Sequence, residues 1–61
     1  MTFGQAVDAA IRQHVHTYPD SAVYSATAAE SDTKQGTHYR VELRAEHFSQ
    51  PLIYLVDVRA T

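Results

Sequence analysis

The sequence predicts a small α+β domain, in which one N-terminal helix packs across a three-stranded antiparallel meander sheet. Apolar residues recur at steps of three and four over residues 3–18, which is typical of one face of a helix. Apolar and charged residues then alternate over residues 36–46, which indicates a half-buried strand. Residues 52–58 are rich in β-branched and aromatic side chains, which predicts a further strand. A chain of 61 residues makes one domain, 1–61.

The N-terminal helix is predicted over residues 3–17. Thr2 and Gln5 have the spacing of a capping box, in which the side chain of each residue bonds to the backbone amide of the other. Tyr18 precedes Pro19, and a residue before proline avoids the helical conformation, so the helix ends there. The apolar stripe consists of Phe3, Val7, Ala10, Ile11, His14, Val15 and Tyr18.

The first strand is predicted over residues 21–30, where serine, threonine, valine and tyrosine outweigh the helical preference of the alanines. Strict alternation places Tyr24 on the same side as Ala26 and Ala28, and small residues there would let the helix lie close to the strand. The polar segment Ser31–Gly36 ends in glycine, which indicates a longer hairpin loop.

The other two strands, 36–46 and 52–58, are predicted to pair so that their apolar faces coincide. One register sets Arg40 opposite Asp57, whereas sliding by two residues sets Glu42 opposite Asp57. Opposite charges across a ladder attract, so we predict the Arg40–Asp57 register. The core then contains Phe3, Val7, Ile11 and Val15 from the helix and Tyr39, Val41, Leu43 and Val56 from the sheet.

Composition narrows the classes of function. The chain has no cysteine, which excludes disulfides and thiolate metal sites. Its formal net charge is −2 and its 5 basic residues form no stripe, so nucleic acid is not an expected partner. The N-terminal segment resembles neither a signal peptide nor a membrane span, so we expect a cytoplasmic protein that does not bind membranes.

No catalytic, metal or cofactor site is predicted. His14 and His16 point in different directions from the helix, and His38 and His47 fall at opposite ends of one strand. Serine, histidine and aspartate without a characteristic spacing do not indicate a catalytic triad. We therefore expect a protein that is not an enzyme and uses no cofactor. His14, on the apolar stripe, is expected at the edge of the core with one ring nitrogen hydrogen-bonded.

The third strand provides a candidate surface for association. If Leu52 and Tyr54 face the helix, Ile53 and Leu55 point outward from the last strand of the sheet. An open apolar edge promotes pairing with another chain, and a domain of this size gains stability from association. We predict a homodimer whose interface contains Ile53, Leu55, Asp57 and Arg59.

The segment Gly36–Ala45, Gly-Thr-His-Tyr-Arg-Val-Glu-Leu-Arg-Ala, resembles the cystatin family, especially its stefin branch. The resemblance implies a cystatin-like fold, with a helix first and an antiparallel sheet around it. It also implies inhibition of papain-like proteases through a hairpin with the motif Gln-x-Val-x-Gly. The corresponding residues here are Asp32, Thr33, Lys34, Gln35 and Gly36, of which only Gly36 matches. We therefore expect no strong inhibition of these proteases.

The function predicted from the sequence is that of a non-catalytic protein-interaction module, either an inhibitor or an adaptor. Its protein partner would bind at the hairpin Asp32–Gly36 or on the open face of the sheet. The alternative is a homo-oligomeric structural protein or a small accessory subunit of a larger complex. In that case the free edge strand would complete another sheet.

Overall fold

The computed structural model describes residues 2–33 and 36–57, which form one helix followed by a three-stranded antiparallel sheet. The elements are α1 (Phe3–Thr17), β1 (Val23–Thr33), β2 (Gly36–Ala45) and β3 (Leu52–Asp57). β2 lies in the middle of the sheet, so β1 and β3 are its two edges. The predicted α+β class and the predicted order of elements are confirmed.

α1 begins and ends where the local sequence predicts. The Gln5 amide donates to the Thr2 hydroxyl (3.2 Å), and the Thr2 amide donates to the Gln5 side-chain oxygen (2.9 Å). These two bonds complete the capping box. At the other end the Tyr18 amide donates to the His14 carbonyl (2.7 Å), and Pro19 prevents a further turn. Both signals are local, and the predicted bounds of the helix are confirmed.

The face that α1 buries differs from the predicted stripe. Its fully buried side chains are Ala6, Ala10 and His14. Val7 and Ile11 pack at the flank of the core, as partly buried residues. Val15 is 46% exposed, so its predicted place in the core is wrong, and Phe3 keeps only an edge contact with the ring of Tyr39. Alanine lets the helix approach the sheet closely, so the small residues occupy the centre of the contact.

The core lies between α1 and the inner face of the sheet, and β2 contributes most of it. Tyr39, Val41 and Leu43 are buried on β2, and Val56 is buried on β3. Their predicted positions in the core are confirmed. Leu43 pairs with Ala26 on one side and Leu52 on the other, so it supports both edges of the sheet.

β1 and β2 form a longer hairpin than the sequence predicts. Their ladder ends with Thr33 opposite Gly36, so only residues 34 and 35, which lie outside the described ranges, connect the strands. The predicted loop Ser31–Gly36 is therefore wrong. Asp32 lies in the ladder opposite Thr37, whose hydroxyl donates to the Asp32 carboxylate (3.1 Å). Polar side chains thus continue the strands here, because the ladder satisfies their backbone groups whatever the side chains are.

The pairing of β1 shifts by one residue at Tyr24. Val23 and Ser25 pair with successive residues of β2, so Tyr24 is an extra residue in β1. The irregularity lets Val23 pack against the core together with Ala26, whereas Tyr24 is 66% exposed. The prediction that Tyr24 shares a face with Ala26 is wrong, because alternation with period two holds only where the pairing is regular.

The register of β2 and β3 differs by two residues from the prediction. Leu55, and not Asp57, lies opposite Arg40, and Asp57 lies opposite His38. The Arg40–Asp57 pair is therefore wrong. Because the slide is by an even number of residues, every side chain of β3 keeps its predicted face, with Ile53 exposed.

The connection between β2 and β3 explains the observed register. The Phe48 amide donates to the Ala45 carbonyl (3.4 Å), and His47 adopts a φ of 72° in this turn. The turn places the ring of Phe48 edge-on against Tyr18, with 4.9 Å between centroids. A cross-strand charge pair contributes about 0.2–1 kcal/mol. Phe48 is half-buried, so it contributes only part of the about 1.5–3 kcal/mol of a fully buried phenylalanine, and its edge-on contact with Tyr18 adds about 0.5–1.5 kcal/mol. Turn geometry and aromatic packing therefore decide the register.

Candidate protein-binding surface

The outer face of the sheet carries the side chains that point away from α1. On β1 and β2 it is polar or small, and it consists of Ser25, Thr27, Ala29, Arg40, Glu42 and Arg44. All of these residues are exposed except Glu42, which is half-buried. This part of the face is an ordinary hydrated surface with charges of both signs.

The strip of the outer face on β3 is apolar. Ile53 is 45% exposed and Leu55 is 57% exposed, and they project from the same side of the strand. The register places Ile53 beside Glu42 and Leu55 beside Arg40. The outer face therefore changes from charged to apolar at its edge.

In the described part of the chain, β3 has a neighbouring strand on one side only. Within residues 2–33 and 36–57, β2 is the only strand that pairs with it. Lysine, proline and β-bulges keep natural edge strands from pairing with other chains. The strand Leu52–Asp57 contains no lysine, no proline and no shift of register. The open edge and the apolar strip coincide on one strand, and together they define the edge surface: Ile53, Leu55 and the outer side of β3.

The structure locates three of the four residues predicted for the oligomer interface. Ile53 and Leu55 point outward, as predicted. Asp57 ends β3, where it is half-buried and lies opposite His38, so it borders the edge surface. Arg59 lies outside the described residues.

The hairpin predicted as a second binding site is described only at its ends. Asp32 and Gly36 lie in the last pairs of the ladder, and Gly36 has a φ of 119°, a value that suits glycine. The backbone of Thr33 pairs with Gly36. Lys34 and Gln35 lie outside the described residues, so the arrangement of this candidate site is a prediction only.

The sequence did not predict the hydrogen-bonded cluster around His14. This ring is fully buried, and both of its nitrogens have partners: Nδ1 lies 3.0 Å from the Tyr54 hydroxyl, and Nε2 lies 3.0 Å from the Ser21 hydroxyl. The Ser21 hydroxyl in turn donates to the Glu46 carbonyl. The expectation of one bonded nitrogen at the edge of the core is therefore wrong. A histidine on the apolar stripe of the helix was the one sign of this cluster in the sequence. Its hydrogen-bond partners could not be predicted, because they lie 7 and 40 residues away along the chain.

The direction of each bond in this cluster follows from its donors. Ser21 has one hydroxyl proton, and the Glu46 carbonyl accepts it, so Ser21 must accept a proton from Nε2 of His14. When the ring carries this one proton, Nδ1 accepts from the Tyr54 hydroxyl. In this arrangement the Ser21 proton bonds to a backbone carbonyl and not to His14, so His14 does not activate Ser21 as a nucleophile. The cluster ties distant parts of the fold together. It links α1, the segment before β1, the end of β2 and the middle of β3.

The phenol of Tyr54 in this cluster has a raised pKa. Burial raises the pKa of the Tyr54 phenol above its ordinary value of 10.0, because the phenolate loses hydration, and the nearby Tyr18 raises the same pKa further. The neutral phenol is therefore the form that the folded protein stabilises. It supplies the donor that His14 needs.

A shallow recess of about 270 Å³ lies beside this cluster, at the C-terminal end of α1. It is bordered by Thr17, Tyr18, Pro19, Asp20, Ser21, His47 and Phe48. Its two largest walls are the rings of Tyr18 and Phe48, which pack against each other edge-on. Among residues 2–33 and 36–57, no three histidine, aspartate or glutamate side chains come together in a way that could hold a metal ion.

Comparison with protein-family models, with curated proteins and with solved structures finds no match to this chain. Within the described ranges, no helix has the length and apolar character needed to cross a membrane.

Proposed function

We propose that this chain is a non-catalytic protein-interaction module, of the inhibitor or adaptor type, that binds a protein partner through its edge surface. The observation that carries the proposal is the coincidence of two exposed apolar side chains, Ile53 and Leu55, with an unprotected edge strand. Backbone groups of such an edge supply affinity for an added strand, and the side chains on either side of it supply specificity.

The bonding of the polar core supports a role in binding rather than in catalysis. In the described residues, the buried side-chain nitrogen and oxygen atoms all have hydrogen-bond partners within the protein. His14 and Ser21 bond to each other and to Tyr54 and Glu46, so the ring nitrogens and the serine hydroxyl already have partners within the fold. The proposal keeps the cytoplasmic location that the sequence suggests.

A second candidate function uses the same strand. A homo-oligomeric structural protein, or an accessory subunit of a larger complex, would also bury Ile53 and Leu55 by adding a strand at β3. The kinship with cystatins belongs to the proposal as well. It is supported by the order of a helix followed by an antiparallel sheet and by the sequence of Gly36–Ala45.

The test replaces the apolar strip by charges without disturbing the fold. In the variant Ile53→Lys with Leu55→Glu, the new lysine lies beside Glu42 and the new glutamate beside Arg40, so both charges meet opposite charges. A matched control exists on β1, because Thr27 also lies beside Glu42 and Ala29 beside Arg40. Thr27→Lys with Ala29→Glu therefore makes the same change of charge in the same rows, at the other edge of the sheet.

Wild type, edge variant and control are immobilised, and proteins from an extract of the source cells that bind to them are identified and purified. Each purified binding protein is then titrated against wild type, edge variant and control. We expect the edge variant to bind about tenfold or more weakly, because the two residues are anchors of the contact, and the control to bind as wild type does. Equal affinities for all three chains would refute the proposed surface. Loss of binding in Asp32→Lys alone would move the site to the hairpin.

A further inference from the structure

We infer that the partner which fits the edge surface is a second copy of this chain, with β3 paired antiparallel to β3 about a two-fold axis at Tyr54. The inference rests on the proposed function and specifies its partner. Two copies joined in this way form one continuous six-stranded sheet, with both helices on the same side. The contact is isologous and closes on itself, so no open edge of β3 remains to recruit a third copy.

The choice of β3 over β1 follows from how the two edges are built. β1 has an extra residue at Tyr24 and carries Glu30 and Asp32 near its other end. An irregular pairing and like charges both disfavour the pairing of this edge with its own copy. β3 pairs regularly along its whole length and holds only one charged residue, Asp57, at its end.

The position of the axis follows from which side chains each register brings together. With the axis at Tyr54, Ile53 lies opposite Leu55 of the second copy, and Leu52 lies opposite Val56, so every directly opposed pair of these residues is apolar. With the axis at Leu55, Ile53 would lie opposite Asp57. With the axis at Ile53, Leu55 would lie opposite Pro51, which has no amide to donate.

The charges beside the apolar strip favour the same axis. Each row of the sheet places Arg40 next to Leu55 and Glu42 next to Ile53. With the axis at Tyr54, the row of Arg40 continues into the row of Glu42 of the second copy, so opposite charges flank four apolar side chains. With the axis at Leu55, the Arg40 residues of the two copies would lie in the same row. Similarly, Glu42 would share a row with its copy if the axis passed through Ile53. These like charges lie three strand spacings, about 14 Å, apart, so salt screens them and their effect is small beside that of the apolar pairs.

Cysteine crosslinking distinguishes these registers, because the natural chain contains no cysteine. Directly opposed residues of an antiparallel pair have Cα atoms about 4.5–5.5 Å apart, which suits a disulfide. Diagonal neighbours lie about 7–8 Å apart, which is too far. Ile53→Cys and Leu55→Cys both change exposed side chains, so each single variant is expected to fold.

With the axis at Tyr54, neither single variant forms a disulfide-linked dimer on mild oxidation, whereas an equimolar mixture of the two does. Thr27→Cys mixed with Ile53→Cys is the control, since Thr27 is exposed on the same face at the other edge. Rapid crosslinking of Leu55→Cys alone or of Ile53→Cys alone would place the axis elsewhere and overturn the inference. Crosslinking in the mixture no faster than in the control would overturn it too.

The mass of the wild type in solution provides the second measurement. Light scattering is expected to give twice the 6.8 kDa of one chain, and the mass is expected to fall to that of one chain in Ile53→Lys with Leu55→Glu. A wild type that keeps the mass of one chain up to its solubility limit overturns the inference. The titrations with purified partner proteins are independent of this result, so the proposed binding surface can stand when the homodimer fails.

Discussion

The two edge strands of this sheet, β1 and β3, differ both in length and in the side chains that they expose. β1 is the longer edge, with 11 residues, and β3 is the shorter, with 6. The long edge carries small and polar side chains, acidic residues and an irregularity at Tyr24. The short edge is regular and carries Ile53 and Leu55 on its exposed face. Under the proposed function, the side chains and the regularity of an edge strand matter more for association than the number of backbone groups it offers.

The two edges also depend differently on the rest of the molecule. The N-terminal end of β1 is tied to the end of β2, since the Glu46 amide donates to the Ala22 carbonyl (2.9 Å) and the Ser21 hydroxyl bonds to the Glu46 carbonyl. β3 is held in its middle, where the Tyr54 hydroxyl reaches His14. An exposed apolar edge can therefore be presented rigidly, because its inner face is anchored to the core.

The largest effect is expected from removing the residue on which both edges rest. Leu43 is fully buried between Ala26 and Leu52, so Leu43→Ala should lower the free energy of unfolding by about 2–5 kcal/mol. Leu55→Ala removes the same side chain from the outer face and should change the stability of the single chain by about 0.5 kcal/mol or less. Urea denaturation at one low concentration measures both. Similar losses in the two variants would show that the inner and outer faces are wrongly assigned.

The next effect concerns the bonds that tie β1 and β3 to the helix. Ser21→Ala leaves Nε2 of His14 and the Glu46 carbonyl without this partner, which should cost about 1–3 kcal/mol. Ser25→Ala is the control, because Ser25 is exposed on the outer face. Thermal melting of the two variants provides the comparison. Equal melting temperatures would mean that the His14 cluster does not hold the edges in place.

The smallest effect is a dependence of stability on alkaline pH that comes from Tyr54 in the middle of β3. The folded protein raises the pKa of Tyr54, so the unfolded chain loses the phenol proton first as the pH rises. The stabilisation is therefore complete below pH 10.0 and is lost as the pH passes through the raised pKa. Tyr54→Phe should make the fall in unfolding free energy above that pH less steep. Parallel curves for wild type and variant, measured by urea denaturation, would contradict this origin.

Features decided by neighbouring residues were predictable from the sequence. The capping box of Thr2 and Gln5 and the proline after Tyr18 act within one turn of the helix, and they gave its bounds correctly. The outward direction of Ile53 and Leu55 also followed from alternation along one strand. The apolar strip of the candidate surface therefore follows from the sequence of β3, whereas its predicted neighbours on β2, Arg44 and Glu42, are wrong, since Ile53 lies beside Glu42 and Leu55 beside Arg40.

What the sequence determined by itself is the class of the fold, the order of its elements and the faces of β3, because periodicity and end signals are properties of short segments. Only the tertiary structure decided the register of β2 with β3, the choice of Ala6 and Ala10 as the centre of the helix contact, and the partners of His14. These depend on how closely two surfaces approach and on which groups meet from distant parts of the chain. Several arrangements satisfy the same local pattern, and the difference in packing free energy between them selects one.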